Sequence, residues 1–112
     1  MVFGFGKTAK YREIEPRELA AMVAANQALV VDVREADEFA GGHIPGSINR
    51  PLSTFQPGKL PDPGARQLVL TCLGGKRSGM ALDKCAAAQA RVDTHLAGGF
   101  GAWAKAGLPV ER

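Results

Sequence analysis

Two mainly apolar segments constrain the fold of this chain more than any other feature of its sequence. They are ALVVDV (28–33) and QLVLTC (67–72), which lack the alternation of apolar and polar residues that marks a strand with one solvated face. Strands buried on both faces occur almost only in parallel sheets that helices cover. The sequence therefore predicts an α/β fold with a mainly parallel sheet covered on both faces.

The rest of the chain alternates helical and extended patterns, as an α/β fold requires. Helices are predicted over 15–26, 35–40, 78–90 and 100–107, and further strands within 47–51 and 92–99. In the third helix, the residues expected on one face by their spacing are Leu82, Cys85, Ala86 and Gln89. The segment 56–66 contains three prolines and two glycines, so we predict a surface loop there.

The size and composition of the chain fit one domain. It has 112 residues, of which 46% are hydrophobic, so one packed core is feasible and two ordinary domains are not. We place an N-terminal extension at residues 1–10 and the domain at residues 11–112. The extension lacks the regions of a signal peptide, and no apolar stretch approaches the roughly 20 residues of a membrane span. We therefore expect a cytoplasmic protein with no membrane partner.

Charge and metal-ligand content argue against two further classes of function. The net charge is +3, and the cations are scattered rather than gathered in a basic stripe, so no nucleic-acid partner is expected. The two cysteines form no Cys-x-x-Cys pair, and the only histidines are His43 and His95. This set does not suit a zinc site, and the sequence predicts no metal and no cofactor.

The segment TCLGGKRS, which contains Cys72, carries the candidate chemistry. Cys72 ends the second apolar strand, at the edge where open α/β sheets bind ligands. Gly74 and Gly75 allow backbone N–H groups to point inward, and the next helix adds the positive end of its dipole. With Lys76 and Arg77, these groups favour a thiolate, whose pKa in such settings is roughly 3.5–7.5 instead of about 8.5. The sequence shows no histidine nearby, so we expect this thiolate to need no histidine base.

Three segments, in order along the chain, carry a family resemblance. They are VVDVREADEFAGGHIPGSIN (30–49), CLGGKRS (72–78) and HLAGGFGAWAKAGLPV (95–110). The first is similar to an Asp-Val-Arg…Gly-His-Ile-x-Gly signature, the second to an active-site loop that cysteine begins and Arg-Ser ends, and the third to a Gly-Gly…Trp…Gly-x-Pro-Val block. Together they resemble the single-domain rhodaneses, which are thiosulfate-type sulfurtransferases. The resemblance implies a rhodanese-like three-layer α/β/α fold with a mainly parallel five-stranded sheet.

The resemblance also implies an activity. The Cys72 thiolate would attack the outer sulfur of a donor such as thiosulfate, sulfite would leave, and Cys72 would hold a persulfide. The implied partners are a small anionic sulfur donor and a thiol or cyanide acceptor, with a protein sulfur acceptor as a further option. In this scheme Cys72 is catalytic. The residues implied to bind the substrate are Leu73, Gly74, Gly75, Lys76 and Arg77, and those implied to support the loop are Asp32, Arg34 and Ser78.

Two other functions are weighed against the sulfurtransferase hypothesis, and three residues are interpreted as structural. A rhodanese module that is non-catalytic or carries sulfur through protein contact is the alternative, although such modules often lack the cysteine. Related phosphatases place five residues between cysteine and arginine, whereas four separate Cys72 from Arg77, which argues against phosphate chemistry. Cys85 and Trp103 are interpreted as packing residues, and His43 as a brace of its own loop.

Overall fold

A five-stranded sheet forms the centre of the protein, and helices pack on both of its faces. The computed structural model describes residues 10–112. The strands are β1 (Arg12–Ile14), β2 (Ala28–Asp32), β3 (Ile48–Asn49), β4 (Gln67–Thr71) and β5 (Thr94–Leu96), and the helices are α1 (Pro16–Ala24), α2 (Ala36–Ala40), α3 (Lys76–Ala87) and α4 (Gly99–Lys105). The strand order is β1-β5-β4-β2-β3, and every pairing between these strands is parallel, which confirms the predicted α/β/α fold.

Strand β2 is apolar from Ala28 to Val31 because each of its faces packs against a different helix layer. Val31 belongs to a buried cluster that includes Leu82 of α3. Val30 belongs to the opposite cluster, together with Leu19 of α1 and Trp103 of α4. Successive side chains of a strand point to opposite faces, so a strand between two such layers buries apolar residues at successive positions. This burial is the physical origin of the continuous apolar run in the sequence.

Helix α3 begins earlier than predicted and turns a different set of residues to the core. It spans Lys76–Ala87 rather than 78–90. Its buried residues are Ser78, Ala81, Leu82 and Cys85. The prediction that Ala86 and Gln89 lie on this face is wrong, because both are exposed. The buried set follows the i, i+3, i+4, i+7 spacing of one helix face, and Gln89 lies beyond the helix end with a φ of 59°.

The shorter segments of the chain agree only in part with the sequence-based predictions. Strand β1 has no counterpart among the predictions, because Ile14 is its one buried residue and so short a segment shows no alternation. The predicted loop over 56–66 contains a 3₁₀ turn at Pro57–Lys59. The predicted extension at residues 1–10 lies outside the described residues, except for Lys10. Among the helices of residues 10–112, none has the length and apolar character needed to cross a membrane.

The carboxyl ends of β2 and β4 meet at one edge of the sheet. These strands are neighbours, and Asp32 at the end of β2 pairs in register with Thr71 at the end of β4. The backbone N–H of Val33 still donates to the Thr71 carbonyl at 2.8 Å, so the strands stay together to their last residues. Cys72 therefore leaves the sheet at the edge where ligands bind in open α/β folds.

Candidate active site

The sulfur of Cys72 lies at the centre of a tight loop between β4 and α3. The side chain is buried, with 1% of its surface exposed. The backbone N–H of Gly75 donates to its Sγ at 3.0 Å. Gly75 reaches this position with a φ of 110°, a left-handed conformation that side chains other than glycine rarely adopt, and it is the N-cap of α3. The loop thus directs the helix start at the thiol, as the two glycines predict.

Helix α4 holds the other side of the same loop. The N–H of Phe100 donates to the Cys72 carbonyl at 2.7 Å, and the N–H of Gly101 donates to the Leu73 carbonyl at 3.0 Å. The backbone carbonyls of Cys72 and Leu73 are thus tied to the first turn of α4. Gly99 lies so close that a Cβ there would be 2.5 Å from both carbonyl oxygens. The glycine-rich block before Trp103 therefore builds the active-site loop, a role that local patterns do not reveal.

The environment of Cys72 favours its thiolate although the group is buried. Burial alone would raise the pKa of the thiol. Hydrogen bonds from the Ser78 hydroxyl and from the N–H groups of Ser78, Gly75 and Gly74 outweigh burial and lower the pKa. Within residues 10–112 no such donor reaches Cys85, and burial raises the pKa of its thiol. The two thiols are therefore shifted in opposite directions, and Cys72 is the one suited to nucleophilic chemistry.

Arg77 does not extend into solvent as a lone cation. Its guanidinium forms two hydrogen bonds with Glu38 of α2, at 2.7 and 3.0 Å. This pairing lowers the pKa of Glu38 to about 2. Glu38 also accepts the N–H of Glu35 in a capping box, so one carboxylate joins the start of α2 to the active-site loop. Lys76 is exposed, and it remains the candidate for attracting an anionic donor.

Glu38→Gln is expected to destabilise the protein at neutral pH and to have less effect in acid. The pKa of Glu38 is about 2 in the folded protein, against an ordinary value of 4.5. Its contribution is therefore complete above about pH 4.5 and is lost as the pH falls towards 2. Because the two side chains are 31% and 33% exposed, solvent screening limits the loss at pH 7 to about 1 kcal/mol.

Urea unfolding of the wild type and the Glu38→Gln variant at pH 7 and pH 3 measures this contribution. Glutamine retains an oxygen for the Glu35 N–H, so the variant mainly removes the charge. The difference in unfolding free energy between the two proteins should shrink at the lower pH. A difference of the same size at both values would contradict an ionised Glu38–Arg77 pair.

Asp32 and Arg34 form a buried ion pair at the end of β2. Arg34 donates through Nε and Nη2 to both carboxylate oxygens of Asp32, at 2.8–3.1 Å, and neither residue is more than 4% exposed. The guanidinium also donates to the Gly42 carbonyl at 2.7 Å and lies 4.4 Å from the centre of the Phe100 ring. Through Phe100, this pair supports the part of α4 that holds the active-site loop.

Ser78 connects the sulfur to a histidine that the sequence-based prediction missed. Its buried Oγ lies 3.6 Å from the Cys72 Sγ and 2.7 Å from Nδ1 of His95. Nε2 of His95 is 3.6 Å from a carboxylate oxygen of Glu13. The expectation that no histidine lies near Cys72 is thus wrong in space, because β5 lies beside β4 and Leu70 pairs with His95. His95 is the first residue of the third family-like segment, 95–110, and this position was the only hint in the sequence that it lies near the site.

The remaining residues singled out in the sequence have structural contacts. His43 stacks on Phe39 at 3.8 Å, and its Nδ1 lies 2.8 Å from the Phe39 carbonyl, in keeping with a brace. Trp103 is buried, and its indole N–H donates to the Pro109 carbonyl at 2.7 Å. Leu73 is 49% exposed at the tip of the loop, where an incoming molecule would meet it.

Comparison with known proteins places this geometry in a family. The model for the rhodanese-like domain matches residues 15–106. A sulfurtransferase from Allochromatium vinosum is 34% identical over 103 residues, covering 88% of this chain and 92% of that protein. An uncharacterized protein from Synechocystis is 40% identical over 97 residues, which cover 87% of this chain. The chain spans only about half of the length of that relative, 54%. The crystal structure of a rhodanese-related protein from Thermoplasma volcanium has a TM-score of 0.76 at 28% identity, covering 90% of this chain and 98% of that one.

Proposed function

Because the chain belongs to the rhodanese-like domain family, we propose that it transfers sulfane sulfur through a persulfide on Cys72. The family and a relative named as a sulfurtransferase support a sulfurtransferase-type role. The finer proposal depends on one observation, the Gly75 N–H that donates to the buried Cys72 sulfur at 3.0 Å. A sulfur atom held against backbone donors is suited to carrying negative charge, either as thiolate or as persulfide.

The reaction has two displacement steps with thiosulfate as the proposed donor. The Cys72 thiolate attacks the outer sulfur, the bond between the two donor sulfurs breaks, and sulfite leaves with the electron pair. Cys72 then carries one extra sulfur as an anionic persulfide. An acceptor thiolate or cyanide attacks that outer sulfur, and Cys72 leaves as a thiolate. Negative charge stays beside the same loop throughout, so one set of N–H donors serves both steps.

Lys76 and Arg77, the two cations of the loop, have different roles in this proposal. Lys76 is exposed beside the loop and attracts the anionic donor. Arg77 is neutralised by Glu38, so its main role is to hold the loop in shape while it adds some positive potential. Leu73 and Gly74 are the exposed loop residues that a donor or an acceptor would meet first. The substrate must therefore approach from this tip, since Cys72 itself is buried.

Intact-mass measurement before and after incubation with thiosulfate tests the proposal. The wild-type protein should gain the mass of one sulfur atom, lose it again on addition of cyanide, and release sulfite. Cys72→Ser should gain none, whereas Cys85→Ser should behave as the wild type, because Cys85 is buried on the inner face of α3 and burial raises the pKa of its thiol. Absence of added sulfur on the wild type, across pH 6–9, would overturn the proposal and favour the non-catalytic alternative.

A further inference from the structure

A chain of contacts leads from Cys72 through Ser78 and His95 to the carboxylate of Glu13. The distances along it are 3.6 Å from Sγ to the Ser78 Oγ, 2.7 Å on to Nδ1 of His95, and 3.6 Å from Nε2 to Glu13. We infer that this chain is a proton relay that removes the thiol proton of Cys72 and holds it on His95. The inference rests on the proposed function, because sulfur transfer requires the thiolate.

The single hydroxyl proton of Ser78 determines the direction of the relay. Three acceptors surround it: the Gly75 carbonyl at 3.2 Å, Nδ1 of His95 at 2.7 Å, and the Cys72 sulfur at 3.6 Å. The shortest contact is with His95. While the hydroxyl donates to Nδ1, its lone pair faces Cys72 and accepts the S–H of the thiol. Ser78 is thus positioned to pass a proton on rather than to keep one.

His95 has the protonation state that a receiving base needs. Burial lowers the pKa of its imidazole and so keeps the ring neutral, able to accept a proton. The same burial disfavours the charged ring, and the nearby Glu13 carboxylate opposes that effect. In the proposed relay the neutral ring carries its proton on Nε2, the nitrogen that faces the Glu13 carboxylate. Nδ1 therefore has a free lone pair, and that lone pair points at Ser78. Glu13 is half exposed, so it can compensate the positive charge that the ring gains.

The transfer balances without any further reactant. The S–H bond of Cys72 breaks and its proton moves to the Ser78 Oγ, while the O–H proton of Ser78 moves to Nδ1 of His95. Ser78 ends as a neutral hydroxyl whose new proton now points at the sulfur. The products are a thiolate on Cys72 and an imidazolium on His95, and nothing is oxidised or reduced. The same Ser78 contact thus accepts from the thiol before transfer and donates to the thiolate afterwards.

The surroundings of His95 provide an exit for the proton. The ring borders a surface cavity of about 290 Å³. Besides Glu13, the ionisable groups that line this cavity are Lys10, Tyr11, Lys76 and Asp83. Asp83 accepts hydrogen bonds from Lys10 and Tyr11, so these groups largely compensate one another. The Tyr11 ring meets His95 edge-on at 6.5 Å. Lys76 opposes a charged ring, which leaves Glu13 as the group that stabilises it.

His95→Asn provides a matched test because asparagine can hydrogen-bond to Ser78 but cannot hold the proton. In a Cys85→Ser background, Cys72 is the one thiol that iodoacetamide can alkylate. The test is the rate of this alkylation between pH 5 and pH 10. The midpoint of the pH profile should rise by about one unit in His95→Asn, which makes alkylation about tenfold slower below the new midpoint. Ser78→Ala should shift the midpoint similarly, and the double variant should shift it little further. Overlapping profiles for His95→Asn and its parent would overturn the relay.

A second measurement needs no substitution at His95. The imidazole ¹⁵N shifts of His95 are followed through a pH titration, before and after alkylation of Cys72 to a neutral thioether. Loss of the thiolate should lower the pKa of His95, because the partner charge is gone. An unchanged titration would contradict the relay even if every variant folds.

Sulfur loading separates this inference from the proposed function. At pH 9 the thiolate forms without the relay, so His95→Asn should still gain one sulfur atom from thiosulfate. If the wild type gains none, the proposed function fails, yet the alkylation profiles still decide the relay. If the wild type gains sulfur while the two alkylation profiles overlap, the relay fails and the proposed function stands.

Discussion

Gly99→Ala is expected to lower the unfolding free energy by about 3–5 kcal/mol and to suppress the reactivity of Cys72. The new Cβ would lie 2.5 Å from the carbonyl oxygens of both Cys72 and Leu73. These are backbone atoms, so the overlap is relieved only when the loop moves away from α4. Movement of the loop breaks the hydrogen bonds from Phe100 and Gly101 and misplaces the N–H donors around the sulfur.

Gly107→Ala is the matched control for this substitution. Gly107 has a φ of 76°, close to the 64° of Gly99, but its Cβ would meet open space. The unfolding free energy of the control should fall only by what a left-handed conformation costs alanine, about 1–2 kcal/mol. Its Cys72 should be alkylated at the normal rate. Urea unfolding and the iodoacetamide rate at pH 7 measure both effects. If the two variants lose the same free energy and react alike, α4 does not hold the loop as described.

Asp32→Asn is expected to destabilise the protein by about 3–5 kcal/mol. Asp32 is fully buried, and both of its carboxylate oxygens accept hydrogen bonds from Arg34. Asparagine has nearly the same shape, so the main change is a buried guanidinium that loses its counter-charge. The melting temperature should fall by more than about 10 °C. Asp83→Asn, which removes a partner of Lys10 in an exposed pair, should cost less than about 1 kcal/mol.

The double variant Asp32→Asn/Arg34→Met separates the lost charge from lost packing. Replacing both charges leaves no uncompensated ion, so the double variant should recover part of the stability that Asp32→Asn loses. Thermal unfolding of the wild type, both single variants and the double variant forms a complete cycle. A double variant less stable than Asp32→Asn would mean that Arg34 stabilises the fold mainly through Gly42 and the Phe100 ring.

The parts of this protein that the sequence predicts are those with a local signal. The mainly apolar runs at 28–33 and 67–72 predict β2 and β4, because burial on two faces removes the alternation of apolar and polar residues. The Gly74–Gly75 pair after Cys72 predicts a loop that turns N–H groups inward, because glycine permits the φ of 110° found at Gly75. The start of α3 and its inner face were predicted less well, since a glycine-rich entry obscures the helical period.

What the sequence could not determine was which distant groups complete the site. Glu38 neutralises Arg77 from 39 residues away, and His95 reaches Ser78 from 17 residues away. Such contacts form only within about 3 Å, so they depend on strand order and register rather than on local composition. The sequence by itself predicts a cysteine at the end of a buried strand, followed by a glycine-rich loop that favours its thiolate. The tertiary structure pairs Arg77 with Glu38 and, by placing β5 beside β4, brings His95 into contact with Ser78 next to Cys72.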